Sequence, residues 1–524
     1  MSGPRLRLLA LVLFAVCVWA LYLEVWFVGF FGDPVWYLEP ARNFALGRGL
    51  VTRTLLTAQL ADFPPGVTMP APFLFHGPLS LIVIGLGYRL FGVVDWVPLA
   101  YSFSLMLATG LLVYRLGREL EGERAGLLGA GLYWTSALGL DRQAQSLADP
   151  LFTALVVSSF ACLWESAKPR RSALRWLACS GLLLGLASCT RLAGQSYWLG
   201  FALGAWWLHG RSWRRAGALL LCAAPPLVVL AFYNHAAAGK WFYSPGFYLL
   251  YWSHSFPGGR AVTSFLSLTT PQALLQYPRD VFQKMLTGPF YAASRFIEDA
   301  KGPYAAALVF FGLLSDVGRG SAAGRFQALL WFLLIPVLAV NIAVSYGGVA
   351  YLQPLAPLML LMAAICLGRF VERNRAAFPF WGWVAGPLLA FVLLSPLALE
   401  IKQAWKTKPA RAALYGDQVL LGEFIKSRTR PDEVLYSDDP ATVAWHGERS
   451  CVALTATLED ARKAFARLAP GALVVTSLRV GSEDYDEAWR KALYAKAPVL
   501  GFAAVEEFRS ATVSAVLLRP AKKL

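Results

Sequence analysis

Charge is what this 524-residue sequence has least of. Only 15% of its residues are charged, against about 25% in a typical soluble domain. Acids are scarcer than bases, 32 against 48. Cysteine is sparse as well: Cys17, Cys162, Cys179, Cys189, Cys222 and Cys366 lie in apolar segments, and Cys451 stands alone near the C-terminal end. No CxxC pair exists, which excludes a disulfide framework and a cysteine zinc site; the thiols read as small apolar groups. His76, His209, His235, His254 and His446 form no HxxxH or HExxH spacing, so no histidine metal motif is present. Solenoid repeats and low-complexity tracts are also lacking.

What the chain has instead is apolar length. The runs "LRLLALVLFAVCVWALYLEVWFVGFF" and "FWGWVAGPLLAFVLLSPLALE" suffice to cross a hydrocarbon core about 30 Å thick. The sequence is that of a polytopic membrane protein. Its first run is longer than a signal-peptide core of roughly 7–15 residues and lacks a small-residue cleavage site, so it reads as an uncleaved first span.

The net charge of +16 does not point to a nucleic-acid partner, because the bases form no single soluble block. They cluster in short loops: Arg5 and Arg7; Arg115, Arg118 and Arg124; Lys168, Arg170, Arg171 and Arg175; Arg211, Arg214 and Arg215; Arg319 and Arg325; Arg369, Arg373 and Arg375. The positive-inside rule puts these in the cytoplasm. Residues 32–76, 141–149, 234–302, 346–351 and everything after about 401 then face the other side. Spans are expected near 6–31, 95–114, 125–140, 150–166, 176–190, 194–208, 216–233, 303–318, 326–345, 352–368 and 379–400. The apolar stretch 77–92 does not fit this alternation and is expected to form a half-inserted or interfacial helix.

Composition changes after residue 404. Residues 405–524 hold 18 basic and 15 acidic residues, leaving 30 and 17 for the rest. The segments "GDQVLLGEFIKSRT", "TLEDARKAFARL" and "DYDEAWRKALYA" have helical periodicity, while "EVLYS", "ALVVTS" and "TVSAVLLRP" read as strands. Thr457, three residues before Asp460, reads as a helix cap. The expected architecture is an all-α polytopic membrane domain of about 11–13 spans over residues 1–404, with a small α/β extramembrane domain over 405–524.

Loop 32–76 carries the most information, since a loop beyond roughly 12–15 residues is unusual unless it works. "GDPVWYLEPARNFALGRG" (32–49) has the amphipathic spacing of an interfacial helix ended by glycine. Asp33 is expected at headgroup level, where partial desolvation moves a carboxylate toward the range of a general base. Asp before Pro is equally a helix start, and one residue can do both.

This first-loop pattern, an aspartate after the first span, then an aromatic and "ARNFALGRG", resembles the GT-C superfamily of membrane glycosyltransferases. The branch it is most similar to contains protein O-mannosyltransferases and lipid A aminoarabinose transferases. "FHGPLSLIVIGLGYRLFG" resembles that branch's proline-pair stretch, and "SLADPLFTALVVSSF" its second loop. "GLLLGLASCTRLAGQSYWLGFALGAWWL" places Arg191 where the branch has lysine, and "GGVAYLQPLAPLMLLMAAICLGRF" resembles a late span. The ordered set covers about the first 370 residues. Three positions depart: Pro34 stands where a second acid follows the first, Gly77 replaces the first proline of the pair, and Ala350 replaces an arginine.

The resemblance implies an inverting, metal-independent transfer of a sugar from a polyprenyl-phosphate donor to an acceptor hydroxyl on the non-cytoplasmic face of a bacterial inner membrane. It implies no cofactor. A divalent ion held by Asp33, Glu39 and Asp149, as in the oligosaccharyltransferase branch, is the less favoured alternative, since no DxD pair marks the first loop. Asp33 is the implied base and Glu39 the next candidate acid. Asp149 has either a catalytic or acceptor-orienting role or caps the helix at Pro150. Arg191, inside an apolar run, either meets the donor phosphate or snorkels. His76 either donates to substrate or is an interfacial histidine; Tyr351 either bonds a phosphate or belongs to the aromatic belt. Lys240 and Arg260, with Arg279, Lys284 and Arg295, face anionic lipid or substrate. The implied partners are the lipid-linked donor, membrane lipids, and a glycan, lipid or protein acceptor, with the C-terminal domain packed over the cavity. Two alternatives of other classes are a transporter or flippase, which should show two related halves, and a non-catalytic envelope assembly protein.

Overall fold

A computed structural model describes residues 3–521 apart from 75, 137–146, 170–171, 242, 244–249, 251–252, 300–302, 316–317, 319, 346–351, 376–380 and 481–484. The apolar runs fold as helices because a backbone in lipid must satisfy its own hydrogen bonds. In chain order these are α1 (Gly3–Trp26), α2 (Val35–Ala45), α3 (Thr57–Asp62), α4 (Leu79–Phe91) and α5 (Trp96–Glu121). There follow α6 (Glu123–Thr135), α7 (Asp149–Ser166), α8 (Ala173–Ser188), α9 (Tyr197–Leu208) and α10 (Trp213–Ala238). After two helices of the long loop, α11 (Thr270–Gln276) and α12 (Pro278–Asp299), come α13 (Pro303–Leu314), α14 (Ala322–Ser345), α15 (Ala356–Arg375) and α16 (Trp381–Arg428). Among the described residues, five stretches are long and apolar enough to cross a membrane: Arg5–Trp26, Trp96–Glu121, Trp213–Ala238, Ala322–Val340 and Gln353–Asn374. Shorter helices pack between them around one apolar core that includes Phe152, Phe160, Phe326 and Leu361.

Ion pairs gather the basic loops at one end of the bundle. Arg115 meets Glu165 at 2.5 Å, Lys168 meets Glu119 at 2.6 Å and Glu165 at 2.9 Å, Arg369 meets Glu121 at 2.7 Å, and Arg7 meets Glu123. α1 runs from this end to the far end, and α5 runs back. The 13-residue α4 between them therefore begins and ends at the far end and does not run the length of the bundle.

At the far end sits a sheet. β1 (Val51–Thr52) pairs antiparallel with β3 (Ala71–Pro72), and β2 (Thr54–Leu55) leaves the first loop to join the C-terminal unit. There β4 (Val434–Ser437), β5 (Ser450–Ala453), β6 (Ala472–Thr476), β7 (Phe502–Arg509) and β8 (Ser514–Pro520) complete six strands in the order β2-β5-β4-β6-β8-β7. β2, β5, β4 and β6 are parallel; β8 and β7 close one side antiparallel. Short helices α17 (Pro440–Trp445), α18 (Leu458–Arg467) and α19 (Glu487–Ala495) cover it. Thr457 caps α18, its hydroxyl accepting the Asp460 N–H at 3.2 Å. α16, 48 residues long, spans about 70 Å at 1.5 Å per residue. It runs unbroken through residue 404 into the C-terminal unit.

Candidate functional site

Two glycines with positive φ, Gly29 (+127°) and Gly32 (+67°), turn the chain out of α1 in conformations that side chains resist. Asp33 follows, exposed at the far end. The position before α2 belongs to Pro34, and no side chain caps that helix, so the Asp33 carboxylate is not used as a cap. Among the described residues it makes no hydrogen bond or ion pair. It lines a cavity of about 360 Å³ with Tyr22, Trp26, Phe27, Phe30, Leu99 and Arg411. The site thus combines a free carboxylate, a mostly apolar aromatic wall and one guanidinium.

Glu39, fully buried one turn and a half along α2, is held differently. Its oxygens accept from Asn43 Nδ2 (2.5 Å), Thr52 Oγ1 (3.0 Å) and the Arg53 N–H (3.0 Å). Burial pushes its carboxyl above the usual range, opposed by the Arg53 N–H, Arg42, Thr52 and Asn43. It ties α2 to β1 and lies outside the cavity lining.

A second group forms where the α4 and α8 termini meet. Gly77 lies on the α8 end so closely that a Cβ would fall 2.1 Å from the Cys189 carbonyl oxygen, and the Leu79 N–H donates to that oxygen at 3.1 Å. A side chain at this position does not fit. The contact brings His76 beside Arg191. Burial, and secondarily the Arg191 charge, pushes the His76 imidazolium well below its usual range, so the ring is neutral at pH 7 and stacks on Tyr37 at 5.2 Å. Arg191, extended between two helices, pairs with Asp149. Asp149 is 1% exposed, and its Oδ2 has no hydrogen-bond partner among the described residues. Although Asp149 opens α7 before Pro150, its side chain makes no capping bond. Leu147, Ala148, Phe30, Val35 and Tyr37 share one apolar cluster, so Asp33 and Asp149 flank a single packed unit.

The remaining candidates lie elsewhere. Lys240 pairs with Asp62 at 3.0 Å, and that carboxylate also accepts from Tyr243 Oη and Ser267 Oγ; it ties the long loop to α3. Arg260 is in the turn Pro257–Val262, packed against α3. Tyr351, and residues 244–249, 251 and 252 of the aromatic stretch 243–259, lie outside the described residues. Sequence reasoning missed Arg411, hidden in a basic run of α16, and Arg42. The latter donates to the Ala444 and Trp445 carbonyls at 3.2 Å and stacks on Trp445 at 4.4 Å, locking α2 to α17.

Residues 75–237 match the family described as dolichyl-phosphate-mannose-protein mannosyltransferase. No curated protein matches the chain. Among solved structures it is similar to ArnT from Cupriavidus metallidurans bound to undecaprenyl phosphate, at 14% identity over 100% of this chain and 99% of that one, with a TM-score of 0.57. It is also similar to the Archaeoglobus fulgidus oligosaccharyltransferase in complex with Zn and sulfate, at 13% identity, 97% and 73% coverage, and a TM-score of 0.54. A third similar structure is the arabinofuranosyltransferase AftD from Mycobacteria, a mutant form, at 14% identity, 98% and 41% coverage, and a TM-score of 0.53. At these identities the likeness is one of fold.

Proposed function

We propose, from the family match over residues 75–237 and the likeness of fold to ArnT, that the chain is a GT-C-type membrane glycosyltransferase that moves a sugar from a polyprenyl-phosphate donor to an acceptor hydroxyl on the non-cytoplasmic face of a bacterial inner membrane. One observation carries the reading: the Asp33 carboxylate, without a partner among the described residues, opens on a cavity with an apolar wall and a guanidinium, Arg411. The matched family's dolichyl-phosphate-mannose and the undecaprenyl phosphate of the ArnT structure support a lipid-phosphate donor. The gathering of basic loops at the opposite end supports the sidedness, with the C-terminal unit, residues 405–524, outside the membrane.

In this mechanism Asp33 takes the proton of the acceptor hydroxyl as its oxygen attacks the anomeric carbon. The bond to the lipid phosphate breaks on the opposite face, so the configuration inverts, as when a single carboxylate activates the nucleophile. Arg191, oriented by Asp149, faces the phosphate charge that develops, and the neutral His76 beside it donates a hydrogen bond. Arg411 adds positive field at the cavity wall. Glu39, occupied by its own three donors, is unsuited to completing a three-acid metal site, and the proposed transfer is metal-independent.

The test is incubation of purified protein with radiolabelled polyprenyl-phosphate sugars and cell-envelope fractions. Wild type should transfer label, and Asp33→Asn should lose at least roughly a hundredfold of it, the usual share of a general base. No transfer from any donor would overturn the reading, and equal transfer by both proteins would overturn Asp33 as the base.

A further inference from the structure

We infer that the far half of α16 positions the proposed base: Arg411 and Tyr415 hold the α1–α2 turn so that the Asp33 carboxylate faces the cavity. The chemical half of this inference rests on the transferase reading; the clamp itself rests on geometry alone.

A helix leaves its last four carbonyls without intrahelical partners. α1 ends at Trp26, and each of its four finds a donor. The Leu23 carbonyl accepts the Phe27 N–H at 2.9 Å, and the Glu24 carbonyl accepts from Lys408 Nζ. Arg411 serves the other two, Nη2 donating to the Val25 carbonyl at 3.2 Å and Nη1 to that of Trp26. The guanidinium also lies on the Trp26 ring, 4.2 Å from its centroid. Its fork is fixed to its own helix by the Ala404 carbonyl at 3.0 Å and Thr407 Oγ1 at 3.3 Å. Two cations beside these carbonyls complement the α1 dipole as well.

One turn further along α16, the Tyr415 ring covers Gly29. A Cβ at Gly29 would fall 2.2 Å from that ring, so the ring and the turn leading to Asp33 are in direct contact. Beyond it Gln418 Nε2 donates to Asp439 Oδ2 at 3.1 Å, and Gly422 rests on His446. Lys408, Arg411, Tyr415, Gln418 and Gly422 recur at steps of three and four, which is one helix face. A single rigid face therefore grips the end of α1, then the Asp33 turn, then α17 of the C-terminal unit. Misplacing a reacting group by about 1 Å costs on the order of a hundredfold in rate, so this grip bears on the chemistry rather than on substrate binding.

The experiment compares wild type, Tyr415→Ala, Tyr415→Phe, Arg411→Lys and Asp33→Asn in full-length detergent-solubilised protein, by label transfer and by backbone hydrogen exchange over residues 27–36. Tyr415→Ala and Arg411→Lys, the latter keeping the charge but losing the fork, should lower kcat roughly tenfold or more with donor KM within about twofold, the signature of lost transition-state positioning. Restoring the ring with Tyr415→Phe should restore kcat. Exchange over 27–36 should quicken by roughly tenfold in Tyr415→Ala and Arg411→Lys and stay slow in Tyr415→Phe. If exchange there matches wild type in both, or if KM rises while kcat holds, the inference is overturned. A wild type inert with every donor instead ends the transferase reading, a fully active Asp33→Asn ends the assignment of Asp33 as its base, and the exchange data still decide the clamp.

Discussion

The carboxylate of Asp149 and the guanidinium of Arg191 close an ion pair between the start of α7 and the end of α8, with Asp149 only 1% exposed. Breaking a buried pair by removing one partner costs about 3–5 kcal/mol, because the other charge stays buried. Asp149→Asn and Arg191→Gln should each lower both the unfolding midpoint and label transfer. The double variant should be little worse than the worse single one, giving a coupling close to the smaller single cost, about 3 kcal/mol, in a double-mutant cycle. Simple additivity would show that the pair does not act as a unit.

Arg42 is the corresponding link between the first loop and the C-terminal unit. Arg42→Ala removes a stack on Trp445 and two bonds to carbonyls of α17, together about 2–4 kcal/mol. Limited proteolysis should release the C-terminal unit roughly fivefold faster or more, following the population of the undocked form. Arg42→Lys, which keeps charge without the planar fork, should recover less than half of the protection. Unchanged proteolysis in Arg42→Ala would mean that the remaining links, β2 on β5 and the Thr57 hydroxyl on the Ala453 carbonyl among them, suffice to hold the two parts together.

The bundle was legible because its signals are local: apolar length, basic loops, and the cap at Thr457. The strands at 434–437, 472–476 and 514–520 were legible for the same reason. β2 was not, since a two-residue strand has no periodicity, and its partner Cys451 is remote in sequence. The change of composition at residue 404 suggested a junction, yet good helix formers stand on both sides of it, and α16 continues. Asp149 and Arg191 each stood out singly, one as an acid before proline and the other as an arginine in an apolar run. Their pairing depends on how α7 meets α8, which neither segment encodes. Arg411 gave no signal at all, because its targets are carbonyls, and any helix end offers those.

Gly77 is placed by a close approach of two backbones. A Cβ there would meet the Cys189 carbonyl oxygen at 2.1 Å and its carbon at 2.3 Å, and backbone atoms cannot rotate aside. Gly77→Ala should therefore cost about 1–3 kcal/mol as an overpacking change and move His76 away from Arg191. Gly77→Pro carries the same Cβ and should fare no better. The measurement is the unfolding midpoint together with label transfer; a neutral Gly77→Pro would show that the α4 and α8 termini separate easily.

His446 makes the stability of the C-terminal unit depend on pH. It lies between Tyr415, Gly422, Asp439 and Arg42, and its Nε2 is buried without a hydrogen-bond partner among the described residues. Burial first, with the Arg42 charge, lowers its pKa from 6.5 to about 4, while Asp439 pulls the other way. A depressed folded pKa means that the unfolded chain takes up the proton first as pH falls. The stability tied to neutral His446 is thus full above 6.5 and is lost between 6.5 and about 4. Asp438, raised to about 6 by burial, has the opposite sign: its contribution falls as pH rises from 3.8 to about 6. The two slopes overlap, so the wild-type profile alone conceals both. Comparison with His446→Phe separates them, since only the histidine contribution disappears. Relative to wild type, the variant should gain about 2 kcal/mol between pH 8 and pH 5, read as unfolding midpoints at both pH values. An equal difference at the two would mean that His446 titrates alike in the folded and unfolded chain, the effect of burial being offset by Asp439, and a relative loss would mean that it is protonated in the folded protein.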